Sequence, residues 1–175
     1  LLKERQAHYG SFSLRVDAAK SSELVSWDIR RKLGRYHLSK MGAGYDVVVQ
    51  DGGLDAIGEF LKKREIKGPM LLVSDSNVGP IYADRVLTSL QKSGLKVKLH
   101  IIPAGETNKT IDTVSSIWQG CLDANLDRKS SIIALGGGVV SDLAGFSAAT
   151  YMRGCKWVSV PTTFLAMVQG RCCTR

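Results

Sequence analysis

A chain of 175 residues with 44% apolar and 23% charged side chains has room for one domain with a sizeable core. Its apolar runs are all broken by Gly, Asp or Lys well before they could cross a bilayer. The net charge of +8 is uneven, since residues 1–40 carry nine Lys/Arg against four Asp/Glu and residues 41–175 carry fifteen against twelve. So mildly basic a body suits a site for phosphorylated anions as well as a nucleic-acid face, and nucleic acid is set aside because only the leader's charge favours it. Cys121, Cys155, Cys172 and Cys173 form no C-x-x-C pair and no zinc-site spacing with His8, His37 and His100, which fits a reduced, cytoplasmic protein.

The chain opens on Leu1 and reaches its first methionine at Met41, so it is expected to be part of something longer or to carry an upstream extension. Residues 1–40 read as a leader of unclear structure, with a short basic amphipathic helix over Ser22–Leu33. Glu4, Asp17, Glu23 and Asp28 argue against a transit peptide. From Tyr45 the elements alternate. Strands are predicted over residues 45–50, 69–74, 96–102, 131–136 and 156–160, and helices over 54–64, 77–93, 110–124 and from 138 onward. Such alternation implies an α/β fold, a Rossmann-like and mainly parallel sheet with helices on both faces, whose ligands sit at the carboxyl ends of the strands.

One stretch organises the rest. Ser131-Ile-Ile-Ala-Leu is a buried strand, Gly136-Gly137-Gly138 a turn where the backbone comes close to something, and the segment through Asp142 and Gly145 a helix of small residues. The free amides at the start of that helix make a site for a phosphate or another anion, or else the glycines only make a tight turn.

Four polar loops follow consecutive strands. Asp75 can accept hydrogen bonds from ribose hydroxyls or cap the next helix together with Asn77. Glu106 and Lys109 can face one ligand or form a solvated pair. The glycine turn brings Asp142, and Thr162 and Thr163 offer hydroxyls to a ligand or cap a helix. Four such loops on one edge favour a dinucleotide site.

The runs Pro103-Ala-Gly105-Glu106-x-x-Lys109, Gly136-Gly-Gly-Val-Val-Ser-Asp142-Leu-Ala-Gly145-Phe, Ala149-Thr-Tyr-Met-Arg153-Gly and Val160-Pro-Thr-Thr-Phe-Leu-Ala-Met-Val168 closely resemble the 3-dehydroquinate synthase family. The resemblance covers residues 41–168, which it implies are the amino-terminal NAD-binding domain, followed by a divergent tail at 169–175. It implies that Asp75, Asn77, Gly105, Glu106, Lys109, Gly137, Gly138, Val139, Asp142, Thr162 and Thr163 hold NAD, and that Arg153 reaches substrate across a homodimer interface. A surface arginine near a helix end is the other reading of Arg153. The family converts 3-deoxy-D-arabino-heptulosonate 7-phosphate to 3-dehydroquinate in the shikimate pathway, toward aromatic amino acids. Bound NAD takes and returns a hydride, so the net reaction is that of a lyase, and a divalent metal such as zinc or cobalt holds the sugar hydroxyls.

The match stops after Val168. The family's helical metal-binding domain is not represented, no metal ligand is assigned, and Gln169–Arg175 looks like a change of reading frame or a join. Ser141 stands where the family more often has glycine, close enough to crowd or hydrogen-bond the cofactor. The chain alone is therefore expected to be inactive and to leave an apolar sheet face wet. The alternatives are a sugar phosphate cyclase of the sedoheptulose 7-phosphate or 2-deoxy-scyllo-inosose type, a metal-dependent alcohol dehydrogenase, or a non-catalytic NAD-binding fragment.

Overall fold

The computed structural model describes residue 19 and residues 21–38 and 44–168. His8, Met41, Cys172, Cys173 and the tail 169–175 lie outside the described residues. The chain divides into two compact units, Leu1–Gly53 and Leu54–Arg175.

In the first unit, helix α1 (Ser22–Leu33) has the span its periodicity predicts. It leads through Gly34 into a hairpin of β1 (Arg35–Leu38) and β2 (Tyr45–Val48), paired antiparallel with Arg35 opposite Val48. Gly34 takes φ +61°, and a Cβ there would collide with the Val49 carbonyl. Only glycine fits that corner.

The expected first strand of the parallel sheet is thus placed differently. Residues 45–48 pair locally with β1, and the burial pattern of β2 shows why: its ends are exposed and its middle half-buried. A parallel strand covered on both faces needs a continuously buried run.

The second unit supplies such runs. Its order is α2 (Gly53–Lys63), β3 (Met70–Asp75), α3 (Gly79–Lys92), β4 (Val97–Ile102), α4 (Ile111–Asp123), β5 (Ser131–Gly136), α5 (Gly138–Thr150), β6 (Lys156–Pro161) and α6 (Phe164–Val168). The four strands form one all-parallel sheet in the order β4-β3-β5-β6. Alternate residues of the central strands face opposite layers. Leu71, Val73, Ile132 and Ala134 pack with Val114, Ile117 and Cys121 of α4 and Val140, Leu143, Ala144 and Ala148 of α5. Met70, Leu72, Ile133 and Leu135 pack with Ile57 and Leu61 of α2 and Ala83, Val86 and Leu90 of α3. The sheet therefore carries a helical layer on each face, as the alternation predicts.

Candidate functional site

The sheet order creates a crevice. From β3 the chain runs through α3, on one face, to β4; from β5 it runs through α5, on the other face, to β6. Leaving to opposite sides, the connections part at the carboxyl ends of β3 and β5, where ligands bind in open α/β sheets. The loops start level with one another, because Asp75 pairs with Ile102 in register and Gly136 with Pro161.

Hydrogen bonds join these loops into one edge. Ser76 donates its amide to the Ile102 carbonyl (3.0 Å) and accepts from the Ala104 amide at Oγ (3.2 Å). Thr162 donates its amide to the Gly136 carbonyl at 2.9 Å. Lys109, just before α4, donates from Nζ to Asp142 Oδ2 of α5 at 2.7 Å and lies 3.6 Å from Glu106 Oε1. Asp142, ahead of all other causes, raises the Lys109 pKa and keeps the ammonium charged.

Each predicted residue has a definite setting. Asp75 Oδ1 accepts from the amides of Asn77 and Val78, both at 2.8 Å, which closes the turn ahead of α3; the helix itself has Val78 at its N-cap and no side-chain cap. Gly105, at φ +108°, turns the chain into the 3₁₀ segment Glu106–Asn108, and an L side chain would be strained there. The first amide bond within α5 runs from Ser141 to the Gly137 carbonyl (3.0 Å), and no side chain caps this end. The amides ahead of Ser141 at this terminus therefore lack intrahelical partners. A Cβ at Gly138 would meet nothing within 4 Å, and one at Gly137 would come within 3.2 Å of Thr163 Cγ2. Val139 is half-buried against the α4–α5 layer. Thr163 Oγ1 accepts from the Ala166 amide at 3.3 Å and so caps α6, whereas Thr162 Oγ1 is buried with no partner among the described residues.

These observations fit a dinucleotide. An uncapped helix amide end gives a diphosphate its donors. Open space in front of Gly138 admits a bulky group, and the orphaned Thr162 hydroxyl and the second Asp75 oxygen are groups a ligand would satisfy. The described residues do not fit a metal in the same way: among them no group of three or more His, Cys, Asp or Glu could hold one.

One predicted residue stands apart. Arg153 follows α5, whose 13 residues put it about 20 Å from the glycine turn, at the opposite end of the sheet. It is exposed, in a turn where Met152 and Arg153 both take positive φ (49° and 71°). Ser141 has its Oγ 3.4 Å from Ser159 Oγ on β6 and lines the same cavity as Lys109 and Asp142. Two contributors carried no role in the sequence reading. Ser76 ties the β3 loop to the β4 loop, and Asn108 donates from Nδ2 to the Ala104 carbonyl at 2.8 Å, fixing the Gly105 turn. Their signal was only the general turn chemistry of Ser and Asn.

Comparison with known proteins gives a consistent picture. Residues 99–173 match the family model described as 3-dehydroquinate synthase N-terminal. Over 136 residues the chain is 46% identical to the 3-dehydroquinate synthase of Desulforamulus reducens, covering 78% of this chain and 38% of that protein. The chain thus spans little more than a third of the length of the curated relatives it matches. Among solved structures it is similar to 2-deoxy-scyllo-inosose synthase complexed with carbaglucose-6-phosphate, NAD+ and Co2+ (TM-score 0.71, 24% identity, 78% of this chain and 37% of that one), a likeness of fold. It is also similar to 2-epi-5-epi-valiolone synthase from Streptomyces hygroscopicus subsp. jinggangensis with NAD+ and Zn2+ bound (TM-score 0.63, 28% identity, 75% of this chain and 35% of that one).

Proposed function

We propose, from the premise that this chain belongs to the 3-dehydroquinate synthase family, that residues 41–168 are the NAD-holding part of an enzyme making 3-dehydroquinate from 3-deoxy-D-arabino-heptulosonate 7-phosphate. The observation that carries this reading is the meeting of four loops at one sheet edge around the uncapped amide end of α5. In it, the amides at Gly137, Gly138 and Val139 bind the diphosphate. Asp75 accepts from ribose hydroxyls, with Asn77 beside it. Gly105, Glu106, Lys109 and Asp142 close the side nearest α4, and Thr162 and Thr163 close the side nearest α6. NAD supplies a hydride acceptor that is regenerated within each turnover.

Arg153, far from this edge in its own chain, serves the substrate of a second protomer in a homodimer, which accounts for its exposure and its strained turn. A divalent metal, zinc or cobalt, belongs to the complete enzyme with ligands outside the described residues, and no step is assigned to it here. The reading places the protein in the cytoplasm and in aromatic amino acid biosynthesis. Alone, the chain binds cofactor without turning substrate over, because it spans about a third of its relatives. Identity favours this substrate over those of other sugar phosphate cyclases, at 46% for the relative named above against 24% and 28% for the two solved cyclases.

The test is calorimetric titration of the full chain with NAD, alongside Lys109→Ala and Asp142→Ala. Wild type should bind one NAD per chain, each variant roughly tenfold more weakly, the scale of one charge-assisted hydrogen bond. Phosphate release from substrate should be undetectable even with added zinc. Folded protein that gives no binding heat, or a chain that turns substrate over alone, would contradict the reading.

A further inference from the structure

Lys96, Lys67, Lys129 and Lys156 stand in a row along the edge of the parallel sheet opposite the candidate site. We propose that this amino edge is a docking surface for double-stranded nucleic acid, held through its phosphates without reading of sequence. The proposal is independent of NAD binding.

The body is only mildly basic by count, yet the fold sorts its charge by edge. Every strand of a parallel sheet begins at one edge and ends at the other. At the amino edge Lys96 precedes β4, Lys67 lies in the loop before β3, Lys129 lies in the loop before β5, and Lys156 opens β6. The order β4-β3-β5-β6 sets them in one line. Backbone contacts hold these loops side by side. Met70 donates its amide to the Lys96 carbonyl (2.9 Å), Lys156 donates its amide to the Ser130 carbonyl (3.2 Å), and a Cβ at Gly68 would lie 3.7 Å from the Lys129 carbonyl oxygen. With neighbouring strands about 4.8 Å apart the row is about 14 Å long, a length over which a duplex carries about eight phosphate charges.

The charge of the row is available. All of these lysines are exposed, and among the described residues none of them forms an ion pair. The acids nearby do not cancel it. Asp127 turns one oxygen onto the Lys129 amide (2.8 Å) and the Ser130 hydroxyl (2.7 Å) of its own loop, and Arg128 follows it in sequence as Arg64 precedes Glu65. Helix ends do not account for the row either. Lys62, Lys63 and Lys92 sit in the last turns of α2 and α3, where the helix dipole favours cations, but the row lies outside every helix. Its composition selects the partner. Protein interfaces are enriched in aromatic residues and arginine and depleted of lysine, and these loops expose no aromatic side chain. Single strands bind by stacking their bases on aromatic platforms, which this edge does not offer.

Fluorescence anisotropy of a labelled mixed-sequence duplex of about 20 base pairs, titrated with the full chain between about 50 and about 200 mM salt, tests this. Changing Lys67, Lys96, Lys129 and Lys156 together to Gln should weaken binding at least roughly tenfold and flatten the dependence of log affinity on log salt by about 3. Changing the same positions to Arg should leave binding as in wild type. Changing Lys3, Arg5, Arg15 and Lys20 of the leader to Gln removes the same charge and should cost less than about threefold. Thermal midpoints establish that each variant folds.

Equal losses from the row and from the leader would overturn the proposal, because net charge would then govern binding. So would a folded wild type that binds no duplex. Displacement of the duplex by polyglutamate at equal charge would overturn it too, and would make the edge a surface for an acidic protein.

Discussion

Thr162 carries a hydroxyl that is buried and unpartnered among the described residues. Such a group costs stability, so Thr162→Val should raise the free energy of unfolding by about 1 kcal/mol while weakening NAD. Urea unfolding and NAD titration of the same variant check both halves; lower stability with unchanged affinity would mean the hydroxyl finds its partner inside the fold. His100 makes a different prediction. Burial lowers its pKa from 6.5, opposed by Asp123 and aided by Lys98. The folded protein binds the proton less readily than the unfolded chain, so stability is full above the unfolded value and falls as the pH drops through it. Urea midpoints should decrease between about pH 7.5 and about pH 5.5, and His100→Gln should flatten that change. At this scale the sequence announced candidates without choosing among roles. Asp75 was readable as ribose acceptor or helix cap, and the structure puts one of its oxygens on the Asn77 and Val78 amides of the turn before α3, with no side chain capping that helix. Ser141 was readable as facing the cofactor, and the structure adds Ser159, a neighbour eighteen positions away that no local pattern reveals.

Elements were more legible than their partners. The predicted helix over 110–124 appears as Ile111–Asp123 with Thr110 as its cap, because the helical spacing of Val114, Ile117 and Cys121 is strong. Strand β5 is buried along its whole length, as a run of aliphatic residues between loops implies. Ile133→Ala there, at a side chain with no exposure, should cost about 3 kcal/mol in urea unfolding. A cost below ~1 kcal/mol would contradict the packing described. Residues 45–48 were read correctly as a strand and assigned to the wrong sheet, since strand pairing depends on what β1, four residues long and unforeseen, offers nearby. Strand β6 is another partial reading. It pairs only with β5 among the described residues, and none of its side chains is fully buried. Lys156 and Thr162 direct their amides to β5, so Pro161 falls on the free-edge side, where its missing N–H blocks pairing at that end.

For the molecule as a whole, apolar surface collects at that same edge. Phe164, Leu165 and Met167 of α6 are 82%, 60% and 59% exposed. Contiguous apolar surface of this kind drives association in water. Sedimentation velocity should show the chain associating as concentration rises, and Phe164→Ser with Leu165→Ser should reduce it; a monomer at every concentration would contradict the expectation. The loops, by contrast, form one edge joined by the hydrogen bonds of Ser76, Thr162 and the Lys109–Asp142 pair. The most direct test is amide chemical-shift mapping of the full chain titrated with NAD. Shifts should gather at residues 75–78, 105–109, 137–142 and 162–163 and leave Arg153 and the β1–β2 hairpin unmoved. Shifts centred on Arg153 or on the hairpin, or none at all from a folded protein, would contradict a dinucleotide site at the carboxyl edge of the sheet.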